Sequence, residues 1–119
     1  MKQFKLSVVI LAAGEASRMG QAKQLLTLKG RTLLEMCVQK AIALQPQSIV
    51  TVLGAHFAET QPEVDKARQK YLEAPIDWAE NQHLASGMGS SIQMGVQKTL
   101  MKCPDTTQIL ILLADQPLI

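Results

Sequence analysis

Three stretches of this chain carry residue types suited to chemistry on phosphate. The first is Leu11-Ala12-Ala13-Gly14-Glu15-Ala16-Ser17-Arg18-Met19-Gly20-Gln21-Ala22-Lys23. The small residues Ala12, Ala13 and Gly14 let a ligand lie against the backbone, and main-chain N–H groups in such a loop can cradle anionic oxygens. Arg18 offers a planar fork for phosphate oxygens, and Lys23 offers a compact positive charge. Together they suit a triphosphate whose negative charge grows on a departing pyrophosphate. The plainer alternative is a strand-to-helix turn with two solvated cations. It is not a Walker loop, because Gly20-Gln21-Ala22-Lys23-Gln24 lacks the Gly-Lys-Ser/Thr ending. Nor do Gly14 and Gly20 make a dinucleotide GxGxxG.

The second stretch is Asp115-Gln116-Pro117, at the end of an apolar run. A carboxylate at the mouth of a parallel strand, facing a phosphate loop, is a natural Mg²⁺ ligand. That ion favours one or two carboxylates plus phosphate oxygens and water. The alternative is a simple Asp-x-Pro turn in which Pro117 holds Gln116 extended. The third stretch, Asn81-Gln82-His83-Leu84-Ala85-Ser86-Gly87-Met88-Gly89-Ser90-Ser91, opens a helix with glycines and serines. It suits hydrogen bonding to a base or ribose, or merely a capped helix start. His56 and His83 read as surface residues, Trp78 as packing, and Met88, Met94 and Met101 as core filler.

These stretches need elements to position them. Leu6–Ala12 is a β-branched apolar run ending in a glycine loop, which predicts a buried strand. Thr32 precedes Leu33, Leu34, Met36, Cys37, Val38, Ala41, Ile42 and Leu44 at helical spacing, and Pro46 stops that helix. Ser48–Leu53 reads as a second strand and Ile76–Glu80 as a third. Between them a polar helix is expected from Pro62 to about Leu72, burying Val64, Ala67, Tyr71 and Leu72. A further helix is expected from Gly87 to about Met101, with Ile92, Met94, Val96 and Leu100 inward. Gln108–Ala114 is the most apolar strand.

Strands alternating with helices predict right-handed crossovers and a parallel sheet covered on both faces, with strand order 3-2-1-4. Ligands of such sheets bind outside the carboxyl ends of the strands, where the order reverses between strands 1 and 4. The first and second stretches fall at those two ends. Strand 4 would ordinarily be followed by another helix and an outer strand, since proteins avoid an apolar edge. A chain ending at Ile119 is therefore expected to be truncated after strand 4, and completed by a partner or left unstable.

At 119 residues the sequence reads as one domain, residues 1–119. Aromatics are 3% of a chain that is 47% apolar, so its core must be aliphatic. A net charge of +2, with no basic stripe and no stacking residues, argues against a nucleic-acid partner. No apolar run reaches the length of a membrane span. Cys37 and Cys103 have no metal-site spacing, and the N-terminal run has no processing-site pattern, so a cytoplasmic protein with two reduced thiols is expected.

The strings Leu11-Ala12-Ala13-Gly14, Ser17-Arg18-Met19-Gly20 and Lys23 resemble the signature of the molybdopterin-nucleotidyltransferase-like enzymes. Their fold is a Rossmann-like GT-A type, a three-layer α/β/α sandwich. Leu-Ala-Ala-Gly, Asp-Gln-Pro and Asn81 through Ser91 resemble the CTP:molybdopterin cytidylyltransferase branch. The resemblance spans Val8 to Pro117. It implies that Ala12, Ala13 and Gly14 line the base and phosphate site, and that Arg18 and Lys23 bind the triphosphate and act in catalysis. Asn81, Gly87 and Ser91 would contact the nucleoside. Asp115 would be catalytic through Mg²⁺, and Gln116 would help define the nucleotide site. The implied substrates are CTP and molybdenum-molybdopterin, with a molybdoenzyme or its chaperone as a further partner. Two other readings remain beside this one: a sugar- or alditol-phosphate nucleotidyltransferase, and a non-catalytic nucleotide-binding or chaperone module.

Overall fold

In the computed structural model, which describes residues 5–12, 17–18, 21–22, 27–28, 31–54, 57–82 and 88–114, the first apolar run forms β1 (Leu6–Ala12). It is followed by α1 (Leu33–Ala43), β2 (Ser48–Leu53), α2 (Phe57–Lys70), β3 (Ile76–Glu80), α3 (Met88–Lys102) and β4 (Gln108–Leu113). The four strands make one parallel sheet in the order β3-β2-β1-β4, the 3-2-1-4 order read from the sequence. Two short antiparallel bridges, Ser17–Arg18 with Gln21–Ala22 and Thr27–Leu28 with Arg31–Thr32, lie between β1 and α1 in the chain.

Alternation along the central strands sorts side chains to two faces. Val8, Ile10, Ile49 and Leu53 pack with Leu34, Val38 and Ala41 of α1 and with Val64 of α2. Val9, Leu11, Val50 and Val52 face the other way, beside Ile92 and Met94 of α3. Every residue of β2 is buried, as expected of a parallel strand with helices on both sides. Thr32 caps α1 as its sequence suggests, its Oγ1 accepting from the Glu35 N–H at 3.0 Å. After the helix, Gln45 takes a left-handed turn (φ 53°) and Pro46 prevents continuation.

Helix α2 differs from its expectation. It begins at Phe57, five residues before Pro62, so the proline lies inside it. Proline lacks the N–H that would reach the Ala58 carbonyl, but both residues are exposed and water can serve that oxygen. The Phe57 ring packs edge-on against Trp78, with centroids 5.2 Å apart, which anchors the early turn. The buried face is Thr60, Val64 and Ala67. Because the helix ends at Lys70, Tyr71 and Leu72 leave the helical spacing. Tyr71 is half-buried, with its hydroxyl accepting from Gln39 Nε2 at 2.6 Å, and Leu72 is 83% exposed.

Helix α3 presents a different face from the expected one. Ser91, Gly95 and Thr99, four residues apart, are buried, while Leu100 and Met101 are exposed. The reason is distance: a Cβ on Gly95 would lie 2.5 Å from Val9 Cγ1 and 3.0 Å from Val52 Cγ2. A helix this close to a sheet has room only for small residues along its contact line, so Ile92, Met94 and Val96 sit half-buried on the flanks. Thr99 satisfies its buried hydroxyl within the helix, donating to the Gly95 carbonyl at 2.7 Å. Strand β4, the most apolar of the four, lies at the sheet edge, and its side chains are only partly covered. Among the described residues no helix is long and apolar enough to cross a membrane.

Candidate functional site

The site is built where β1 and β4 end together. They are parallel neighbours with Leu11 opposite Leu113, and the Ala114 N–H donates to the Leu11 carbonyl at 3.0 Å. The chain therefore leaves β1 after Ala12 and β4 after Ala114 at one edge of the sheet. Both alanines are buried, at 1% and 0% exposure, so this edge is closed from beneath by small side chains. The segment running to Arg18 and Lys23 departs from Ala12, and Asp115 is the residue after Ala114.

Ala13, Gly14, Lys23, Gly87, Asp115 and Gln116 lie outside the described residues. The backbone of Arg18 is placed opposite Gln21 in the short antiparallel bridge. Among the described residues no cluster of three His, Cys, Asp or Glu side chains could hold a metal ion. The carboxylate expected to hold one, Asp115, is not among them.

Asn81 and Ser91 are described, and the structure brings them together. Asn81 follows β3 at the same edge, and its main-chain N–H donates to the Leu53 carbonyl at the end of β2 (2.7 Å). Its Nδ2 donates to the hydroxyls of Ser90 and Ser91, each at 2.9 Å. Asn81 is 1% exposed and Ser91 5%. The third stretch is thus tied down at both ends, by its asparagine and by the first turn of α3. Ser90 was not singled out from the sequence. Its signal was there, as an asparagine closing a strand and a Ser-Ser pair opening the next helix. Gly89, in that same turn, is exposed, and a Cβ on it would meet nothing within 4 Å.

The described groups with displaced pKa values lie away from this edge. Before β1 and β4 begin, at the opposite end of the sheet, Lys5 Nζ is 2.7 Å from Asp105. The hydrogen bond from Lys5, joined by Gln47, holds the Asp105 carboxyl below the ordinary carboxylate range, and the same bond raises Lys5. On β3, burial pushes the Asp77 carboxyl up. The Trp78 N–H and the Lys102 and Lys98 ammonium groups together outweigh that and leave it low. A hydrogen bond from Lys70 to Glu35 ties α2 to α1 and raises the lysine. A groove lined by Ile42, Pro46, Tyr71, Leu72 and Pro75 opens where α1 ends and β3 begins, and none of the expected site residues lines it.

Comparison with known proteins gives the family and the fold. Residues 8–119 match the family described as the MobA-like NTP transferase domain. The bifunctional protein GlmU of Psychrobacter cryohalolentis is 36% identical over 117 residues, covering 96% of this chain and 24% of that protein. The chain spans about a quarter of the length of the curated relatives it matches. The crystal structure of 4-diphosphocytidyl-2C-methyl-D-erythritol synthase from Anaerococcus prevotii superposes with a TM-score of 0.74 at 18% identity. It covers 97% of this chain and 45% of that one. Rv0371c of Mycobacterium tuberculosis, solved in complex with manganese, superposes with a TM-score of 0.67 at 22% identity, covering 97% and 53%. At these identities the two structures speak for the fold.

Proposed function

Because this chain belongs to the MobA-like NTP transferase domain family, we propose that it is the nucleotide-binding part of a nucleotidyltransferase. The proposed reaction moves CMP from CTP to the phosphate of molybdenum-molybdopterin and releases pyrophosphate. The observation that carries this reading is the shared edge of β1 and β4. The hydrogen bond from the Ala114 N–H to the Leu11 carbonyl holds the ends of β1 and β4 together, and in sequence the basic segment follows the one and Asp-Gln-Pro the other.

In this reading Ala12, Ala13 and Gly14 give the nucleotide close access to the backbone. Arg18 and Lys23 hold the triphosphate. Asp115 and Gln116 enter from the neighbouring strand, and Gly87 and Ser91 approach from the nucleoside side. The acceptor's phosphate oxygen attacks the α-phosphorus in line, a new P–O bond forms, and the bond to the β-phosphate oxygen breaks. No general base is required, because a phosphate acceptor is already ionised. Arg18 and Lys23 take up the charge that develops on pyrophosphate, so catalysis consists of positioning and charge neutralisation. Asp115 together with triphosphate oxygens would suit Mg²⁺ better than a thiophilic metal. Held by Asp115, Mg²⁺ would supply charge neutralisation across the phosphates.

A second reading is an alditol- or sugar-phosphate acceptor. It shares the Leu11-Ala12-Ala13-Gly14 and Arg18-Met19-Gly20…Lys23 strings with the first reading. Pyrophosphate release with CTP, GTP, ATP and UTP, each offered the molybdenum pterin and a panel of sugar and alditol phosphates, separates the two. Turnover only with a sugar or alditol phosphate overturns the pterin assignment. CTP binding that ignores both Mg²⁺ and Asp115→Ala points instead to a non-catalytic module.

A further inference from the structure

We propose that Asn81 is a positioning residue for the nucleotide site, holding the first turn of α3 against the ends of β2 and β3 without touching the nucleoside. This rests on the nucleotide reading above. A primary amide has two N–H donors. Here two hydroxyls, those of Ser90 and Ser91, each accept from Nδ2 at 2.9 Å, while the main-chain N–H of the same residue is held by the Leu53 carbonyl. At 1% exposure the side chain offers a ligand almost no surface. One residue therefore joins three elements at the edge where β1 and β4 also end.

The consequence falls on the elements it joins. Asn81 and Ser90 are nine positions apart, so the clamp fixes where the end of β3 stands relative to the first turn of α3. Fixing two elements in place removes the freedom that a ligand would otherwise have to take from them on binding. The exposed, side-chain-free Gly89 lies in the turn that the clamp orients. An asparagine that donated to the base would have to release one serine hydroxyl, in a place where polar groups have few other partners.

The test is a double-mutant cycle read in two ways. The variants are Asn81→Ala, the paired Ser90→Ala/Ser91→Ala, and all three together. CTP affinity is measured with Mg²⁺ by calorimetry, and amide hydrogen exchange is followed through residues 90–95 without nucleotide. Loss of two hydrogen bonds predicts that Asn81→Ala weakens CTP about tenfold. The serine pair, which also removes Ser91 from the nucleoside side, should lose at least as much, and the triple variant should be no worse than the pair. Exchange in the first turns of α3 should accelerate in the nucleotide-free protein. Asn81→Asp, whose carboxylate can accept from both hydroxyls, should restore the exchange protection and guards against a variant that merely misfolds. Additive losses of affinity with unchanged exchange would mean a direct contact and overturn the proposal. A wild-type chain that binds no nucleoside triphosphate defeats the nucleotide reading itself. The exchange arm tells these two failures apart, because it reports the clamp without ligand.

Discussion

Gly95→Ala tests how closely α3 lies on the sheet. The added Cβ would sit 2.5 Å from Val9 Cγ1, 3.4 Å from Val9 Cγ2 and 3.0 Å from Val52 Cγ2. Both valines are at 0% exposure on the two central strands, with α1 and α2 packed behind them. Their branched side chains have little rotamer freedom, so relief must come from lifting the helix. Overpacking of this kind costs about 1–3 kcal/mol. Alanine returns about 1 kcal/mol of helix propensity. A contact as short as 2.5 Å belongs at the upper end of the cost, giving a net loss of about 1–2 kcal/mol. For a chain of this length that lowers Tm by roughly 4–8 °C.

Gly89→Ala is the internal control. It makes the same chemical change in the same helix, at an exposed position with nothing within 4 Å, and should be neutral or gain up to about 1 kcal/mol. Urea titration followed by helix circular dichroism and by the single Trp78 measures both. A second check is Val9→Ala, which on its own opens a cavity but in the Gly95→Ala background makes room for the new methyl. The two changes should then be coupled favourably by about 1 kcal/mol or more. Equal stabilities for the two glycine variants would refute the close approach and the account of why Ser91, Gly95 and Thr99 form the buried face.

Two further outcomes follow from groups away from the site. Thr51 Oγ1 is buried with no hydrogen-bond partner among the described residues, so the nearly isosteric Thr51→Val should stabilise the fold by about 1 kcal/mol, read as a higher urea midpoint at unchanged slope. Asp77 has a carboxyl pKa lowered by folding, so its contribution is complete above its unfolded value, about 4, and is lost as pH falls through the lower folded value. The stability difference between wild type and Asp77→Asn should therefore be constant above about pH 5 and shrink in more acid solution; a difference that grows on acidification would contradict the Asp77 ion pairs.

Much of the frame was legible because its causes are local. Runs such as Val8–Leu11 and Ile49–Leu53 can be apolar on both faces only between two helical layers, and Thr32 announces a cap in its own sequence. Sequence pattern and structure part where a local pattern competes with packing. Leu72 is apolar but follows the end of α2, and Pro62 marks no boundary because the turn before it is anchored by Phe57 on Trp78. Leu100 looked inward by character, yet the contact line of α3 is made of its smallest residues.

The chain alone determined a four-stranded parallel α/β sheet in the order 3-2-1-4, because alternation, β-branching and right-handed crossover act between near neighbours in sequence. Only the tertiary structure decided how near α3 comes to Val9 and which hydroxyls receive the Asn81 amide. Both are set by distances between segments far apart along the chain. A polar residue reads the same in a sequence whether its hydrogen bonds go to a ligand or to another part of the fold.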